Sequence, residues 1–154
     1  MRLGTALPVL AGLLAAAAGC GGGSSGTAPT PAGLQVGGQY ATAVTLAEDG
    51  CGGTAVQSLP TTVTQEPGQT RFTLAHGSLT YSGTLARDGS FRTDSRTASD
   101  ASGATLTIDI QGRFSTQGFE ATVDVAVDRS APTPDCAYQV RWVGTKQGAP
   151  NIIP

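Results

Sequence analysis

Apolar and polar residues alternate with a period of two along most of the chain after residue 39. Such a run places its apolar side chains on one face of an extended strand and its polar side chains on the other, which predicts half-buried β-strands. No window of helical length has the period of an amphipathic helix. The alternating runs are residues 40–46, 71–76, 78–86, 104–114, 119–128 and 138–144.

Short turn signals separate these runs, and two weaker runs near residues 53–64 and 90–98 bring the total to about eight strands. Asp88-Gly89, between two alternating runs, is typical of a β-hairpin. Short links make consecutive strands antiparallel neighbours, and a meander of eight such strands buries its apolar face by closing into an up-and-down barrel. The sequence therefore predicts an all-β fold with a small closed barrel, and a two-sheet β-sandwich is the alternative.

The tight hairpin around residues 115–118 predicts its own register. Pairing Phe114 with Phe119 keeps all the apolar residues of both strands on the inside, but it sets Asp109 opposite Asp124 on the outside, where like charges repel. If Val125 pairs with Val140 of the following strand, Arg141 lies beside Asp124 and relieves this repulsion. A calcium site at the two aspartates needs more oxygen ligands than the nearby sequence offers, so no metal site is predicted.

The first twenty residues have the composition of an export signal, with Arg2 followed by an apolar stretch over residues 9–18. Its end, Ala17-Ala18-Gly19-Cys20, resembles the bacterial lipobox, with Ala17 where Leu is usual. The resemblance implies that Cys20 is diacylated and becomes the mature N-terminus. Cleavage by an ordinary signal peptidase after the alanines of residues 15–18 is the alternative.

The chain has three cysteines, Cys20, Cys51 and Cys136, and an odd number leaves one of them unpaired in an exported protein. If Cys20 carries lipid, the other two can pair. Cys51 follows the first strand and Cys136 precedes the last, and these strands run antiparallel in an eight-strand meander. The sequence therefore predicts a Cys51–Cys136 disulfide, which persists in an oxidising compartment.

Composition divides the chain into four parts. Residues 1–19 are the predicted signal peptide, residues 20–33 the lipidated N-terminus with a flexible Gly/Ser/Pro tether, residues 34–147 the barrel domain, and residues 148–154 a disordered tail. The expected location is the bacterial cell envelope. Gly rather than Asp follows Cys20, which in a Gram-negative cell predicts the outer membrane; otherwise the outer face of the cell membrane is expected.

Candidate chemistry is sparse. Nine basic and eleven acidic side chains form no basic cluster, which argues against nucleic-acid binding. His76 is the only histidine, and Ser78 and Asp88 are its candidate triad partners, but such a set can be assembled from almost any chain this rich in Ser and Asp. The sequence therefore predicts no catalytic residue and no cofactor, and we expect the protein not to be an enzyme.

Two short motifs resemble lipocalins. Gly38-Gln39-Tyr40 is similar to their GxW motif, with Tyr in place of Trp, and Arg141-Trp142 resembles the basic residue of their last strand. The resemblance implies a similar barrel and a small hydrophobic ligand, although the inward residues favour a filled core over a cavity. The predicted function is a non-enzymatic, membrane-anchored lipoprotein with an interaction or structural role, and lipocalin-like ligand binding is the alternative.

Overall fold

The alternating runs form strands where the sequence predicts them. The computed structural model describes residues 33–154, and Cys20 with its tether lies outside these residues. Nine strands and no helix occur in this part of the chain. The strands are β1 (Gly38–Asp49), β2 (Thr61–Thr64), β3 (Arg71–His76), β4 (Leu79–Leu85), β5 (Ser90–Thr93), β6 (Arg96–Ser99), β7 (Thr105–Ser115), β8 (Gly118–Asp128) and β9 (Cys136–Lys146).

The strands form one closed antiparallel barrel. Neighbours pair in the order β5-β4-β3-β2-β1-β9-β8-β7-β6, and β5 also pairs with β7. This last pairing closes a ring of eight strands, because it joins the two halves of the sheet that diverge from β1 and β9. β6 is an additional strand on the same edge of β7 as β5. The predicted all-β barrel is confirmed, and the sandwich alternative is not found.

The ninth strand arises because the weak run at residues 90–98 is interrupted. Asp94 and Ser95 leave the strand, and the side chain of Thr93 bridges the break by accepting a hydrogen bond from the backbone N–H of Ile110 at 3.2 Å. β4 pairs with β5 only between Gly83 and Leu85. Residues 79–82 of β4 therefore face β6 without strand pairing in the described structure, and we call this gap between β4 and β6 the seam.

The register of the β7–β8 hairpin matches the prediction. Phe114 lies opposite Phe119 and Asp109 opposite Asp124. The tight turn and the apolar face both fix this register. A slip of one residue would turn the apolar side chains of one strand outward.

The predicted position of Arg141 is wrong. Asp124 lies opposite Gln139, whose side-chain amide donates to the carboxylate at 2.8 Å, and Arg141 pairs with Glu120 at 2.7 Å instead. The ring of Phe119 lies across the position of Gly144, which has no side chain to obstruct it. This packing fits the observed β8–β9 register. The repulsion between the two aspartates is therefore offset in part by the amide of Gln139 and not by an arginine.

One end of the barrel is filled with aromatic rings and closed by the chain termini. We call it the sealed end; it carries the β2–β3, β4–β5 and β7–β8 turns. Neighbouring ring centroids in its interior lie 4.8–6.3 Å apart, so this half has the filled core that the sequence favours. The rings belong to Tyr40, Phe72, Phe91, Phe114 and Phe119.

The predicted disordered tail at residues 148–154 is also wrong. Gln35 and Ile152 exchange backbone hydrogen bonds of 2.9 Å in each direction, and Asn151 is only 3% exposed. Ile153 packs against the core. The tail is ordered because its polar and apolar groups both find partners at the sealed end, which a scan for alternation does not detect.

The opposite end of the barrel, the loop end, carries the β1–β2, β3–β4, β6–β7 and β8–β9 connections. Several inward-facing apolar side chains at this end are only partly buried, in contrast to the rings of the sealed end. They include Leu46, Leu79, Leu106 and Tyr138. The barrel interior is therefore less completely covered at the loop end.

Candidate functional site

The predicted disulfide is present. Cys51 and Cys136 are bonded across a sequence separation of 85 residues, with their Cα atoms 5.1 Å apart. Asp49 and Tyr138 form the last pair of the β1–β9 ladder, and the disulfide lies directly beyond this pair. It therefore joins the first and last strands at the loop end, as the meander predicts.

Asp49 shapes the loop that carries Cys51. Its carboxylate accepts hydrogen bonds from the backbone N–H groups of Cys51, Gly52 and Thr54 and from the hydroxyl of Thr54. These bonds, those from Thr54 first, lower the pKa of Asp49 because they stabilise the carboxylate. The acid therefore has a structural role in the loop.

His76 does not form a catalytic triad. Its Nδ1 lies 2.9 Å from the hydroxyl oxygen of Thr61, and its ring stacks on Trp142 with the centroids 4.2 Å apart. Asp88 lies at the other end of the barrel and pairs with Arg113 at 2.7 Å. Burial lowers the pKa of His76, so the ring is favoured in its neutral form. The histidine is therefore a half-buried residue that packs against Trp142 and is hydrogen-bonded to Thr61.

Arg96 is a half-buried charged residue on the inner face of the barrel, and no sequence motif indicates this position. It lies opposite the buried Ile108 and therefore on the inner face of the sheet. Its guanidinium carbon lies 5.7 Å from the centre of the Tyr81 ring, and its Nη1 donates to the carbonyl oxygen of Thr80 across the seam. The guanidinium thus lies where backbone hydrogen bonds would otherwise join β4 and β6.

The Nε atom of Arg96 is buried and has no hydrogen-bond partner within the described structure. The three ion pairs found among residues 33–154 join Arg71 to Asp94, Arg113 to Asp88 and Arg141 to Glu120. All three lie on exposed side chains, and none neutralises Arg96. A buried N–H without an acceptor is costly, so Arg96 is the least satisfied polar group of the described barrel.

Two tyrosines share the interior with Arg96. Burial raises the pKa of Tyr81, an effect that the nearby positive charge of Arg96 partly opposes. Burial also raises the pKa of Tyr138, and the negative charge of Asp100 adds to the increase. Both hydroxyls therefore stay protonated at neutral pH and can donate hydrogen bonds. The loop half of the barrel thus combines one guanidinium and two phenols with an apolar lining.

Tyr40, the residue of the GxW-like motif, lies in the sealed end. Its hydroxyl lies 2.8 Å from Oδ1 of Asn151, and the ammonium group of Lys146 lies 4.7 Å from the centre of its ring. Burial raises the pKa of Tyr40 and lowers that of Lys146. The basic residue that covers Tyr40 is therefore Lys146, whereas Arg141 lies on the outer wall.

The acidic pair of the outer wall does not extend into a metal-ligating cluster. Asp109 and Asp124 face each other, and Gln139 donates to Asp124. Among residues 33–154 no three His, Cys, Asp or Glu side chains are grouped closely enough to hold a metal ion. The same residues include no helix that is long and apolar enough to cross a membrane.

Comparisons of this chain with models of protein families, with curated proteins and with solved structures find no match. The sequence motifs and the geometry of the barrel are therefore the features that indicate its function.

Proposed function

We propose that the protein is a non-enzymatic lipoprotein of the bacterial cell envelope, which displays a closed β-barrel from a lipid on Cys20. The lipobox-like Ala17-Ala18-Gly19-Cys20 supports lipidation. The disulfide between Cys51 and Cys136 supports it further, because that bond leaves Cys20 as the one remaining cysteine. The membrane is reached through the lipid, and no nucleic acid is bound.

The position of the first described residues carries the argument for display. Leu34 and Val36 are buried at the sealed end, and the backbone carbonyl of Leu34 accepts a hydrogen bond from Gly68 in the β2–β3 turn. The described chain therefore enters the barrel at its sealed end, and the loop end lies at the opposite end from this entry point.

Metabolic labelling in a bacterial host tests the anchor. Cells that express the full chain receive a clickable palmitate analogue and are separated into membrane and soluble fractions. We expect label on the wild-type protein and recovery in the membrane fraction. The Cys20→Ala variant is expected to lose both, while Cys51→Ala retains both. Labelling of the Cys20→Ala variant would contradict the proposal.

The alternative function, binding of a small hydrophobic ligand, is favoured by the partly buried apolar side chains of the loop end. An eight-stranded barrel is wide enough to hold one small molecule where side chains do not fill it. Native mass spectrometry of the protein purified from its host tests this function. A co-purifying small molecule of constant mass supports ligand binding, and a stoichiometric protein partner supports an interaction role instead.

A further inference from the structure

We propose that Arg96 binds the carboxylate of a small amphipathic molecule whose apolar part lies among the inward-facing side chains of the loop end. This inference rests on the ligand-binding alternative and adds to it the charge of the ligand and the residue that recognises it. The observation that leads to it is the buried Nε of Arg96, which has no acceptor in the described structure.

The bonding of Arg96 specifies which edge of the guanidinium faces the ligand. Nη1 already donates to the carbonyl oxygen of Thr80. The opposite edge presents the N–H of Nε beside that of Nη2, and these two parallel donors match the two oxygens of a carboxylate. A neutral acceptor would satisfy Nε alone, whereas a carboxylate satisfies both donors and also compensates the charge.

The charges around Arg96 leave the guanidinium without a counterion. No carboxylate forms an ion pair with it among the described residues. Asp100, in the turn between β6 and β7, accepts hydrogen bonds from the backbone N–H groups of Ser102 and Ala104 and from the hydroxyl of Ser102. The tyrosines beside Arg96 are neutral, because burial raises the pKa of both. Arg96 therefore forms no ion pair, and the nearest negative charge that acts on the site is that of Asp100 in the β6–β7 turn, which is felt at Tyr138.

The surroundings of Arg96 indicate an apolar body for the ligand. Leu106 lies two residues from Ile108, the strand partner of Arg96, and Leu79 lies two residues from Tyr81, whose ring the guanidinium covers. Both leucines are only partly buried. Covering them with an alkyl chain would contribute about 25 cal/mol for each Å² removed from water. A medium-chain monocarboxylate combines this chain with the required charge.

The seam offers a lateral route to the same guanidinium. β4 and β6 are not paired with each other, and Arg96 bridges them through a side chain rather than through a backbone ladder. An extended peptide with an acidic side chain could also occupy a gap between two strand edges. The half-buried leucines on the inner face favour the small molecule, and the peptide is an outcome that the test distinguishes.

Isothermal titration with decanoate tests the proposal. The chain from Gly21 to Pro154 is used, because the closed ring, the disulfide and the core all lie within residues 34–154 and lipid would itself take up the probe. We expect one saturable site for decanoate. Arg96→Met should weaken binding 10- to 100-fold, the effect of about one charge-assisted hydrogen-bonded pair. Arg92→Met removes an exposed arginine of β5 and should leave the affinity unchanged.

Three further measurements separate the contributions of the ligand's charge, of its alkyl chain and of the paired donors of Arg96. Decanol, which lacks the charge, should bind wild type at least 10-fold more weakly than decanoate and should be insensitive to Arg96→Met. Acetate, which lacks the chain, should not bind measurably. Arg96→Lys keeps the charge but not the paired donors, so it should lie between wild type and Arg96→Met. Thermal unfolding of each variant shows that its barrel is intact, and the lysine variant decides the matter if the methionine variant is unfolded.

Several results would overturn the proposal. These are the absence of decanoate binding, equal affinities of wild type and folded Arg96→Met for decanoate, equal affinities of wild type for decanoate and decanol, or Arg96-dependent binding of an acidic extended peptide without binding of decanoate. If Arg96→Met is unfolded, equal affinities of wild type and Arg96→Lys for decanoate take the place of the second result. Equal binding of decanol and decanoate leaves ligand binding intact and removes only the role of Arg96. Lipidation of Cys20 is measured separately by the palmitate label. A chain that is not lipidated is therefore distinguished from a chain that does not bind decanoate.

Discussion

The side-chain oxygen of Asn151 lies 2.8 Å from the hydroxyl of Tyr40, which joins residues 111 positions apart inside the sealed end. The amide nitrogen of Asn151 donates to the carbonyl oxygens of Ser115 and Gly118 at 2.7 and 3.3 Å. One buried side chain therefore connects the C-terminal residues to β1 and to the β7–β8 turn. This connection explains why the end of the chain is ordered.

Replacing Asn151 with Ala should lower the free energy of unfolding by about 2–3 kcal/mol, because buried carbonyl groups lose their donor. Pro154→Ala, an exposed substitution in the same segment, should change it by less than about 0.5 kcal/mol. Urea unfolding followed by tryptophan fluorescence measures both, since Trp142 is the only tryptophan and is buried. Equal stabilities of wild type and Asn151→Ala would show that the tail does not hold the sealed end.

Removal of the disulfide should have the largest effect of the substitutions considered. The bond closes a loop of 85 residues, for which the chain-entropy model predicts about 4.5 kcal/mol of stabilisation. The Cys51→Ala/Cys136→Ala double variant should lose about this amount in equilibrium urea unfolding. Dithiothreitol should destabilise wild type similarly and leave the double variant unchanged, which controls for the substitutions themselves. A response of the double variant to dithiothreitol would contradict this assignment.

A methyl group at Gly144 should also destabilise the barrel. A Cβ at this position would overlap the ring of Phe119, and interior overpacking costs about 1–3 kcal/mol. Gly144→Ala should therefore lower the midpoint of thermal unfolding. The loss should be smaller in a Phe119→Leu background, because the shorter side chain leaves room for the methyl group. Strictly additive effects of the two substitutions would argue against this contact.

Some parts of the fold can be predicted from the sequence and others cannot. The alternating runs predict the strands, and the short β7–β8 turn predicts the pairing of Phe114 with Phe119. The longer connection between β8 and β9 imposes no register. The pairing there depends instead on the packing of Phe119 across Gly144, which is a contact between residues of different strands and is not visible in either run alone.

The interior position of Arg96 is missed for a related reason. In an unbroken run, Phe91 and Thr93 would be followed on the inner face by Ser95, and Arg96 would face solvent. The break at residues 94 and 95 shifts the alternation by one position, so Arg96 points inward. The side chain of Thr93 replaces part of the missing ladder through its bond to Ile110. Sequence alternation alone cannot predict where such a shift occurs.

His76 should make stability depend on pH in the mildly acidic range. Burial lowers its pKa below the unfolded value of 6.5, so the unfolded chain binds the proton more readily and stability falls as the pH drops below about 6.5. His76→Asn keeps a polar group near Thr61 but does not titrate. Urea midpoints at pH 7.0 and 5.5 should differ in wild type and agree in the variant. Asp49, Asp88 and Asp100 have lowered pKa values and affect stability only at more acidic pH.

The intact mass of the mature protein, purified from a bacterial membrane fraction, tests the proposed anchor most directly. We expect a mature chain that begins at Cys20 and carries a diacylglyceryl thioether, with the Cys51–Cys136 bond intact. After alkaline hydrolysis of the ester-linked chains, the N-terminal peptide should retain the glyceryl group on Cys20. A mature chain with an unmodified Cys20 would contradict the lipoprotein proposal.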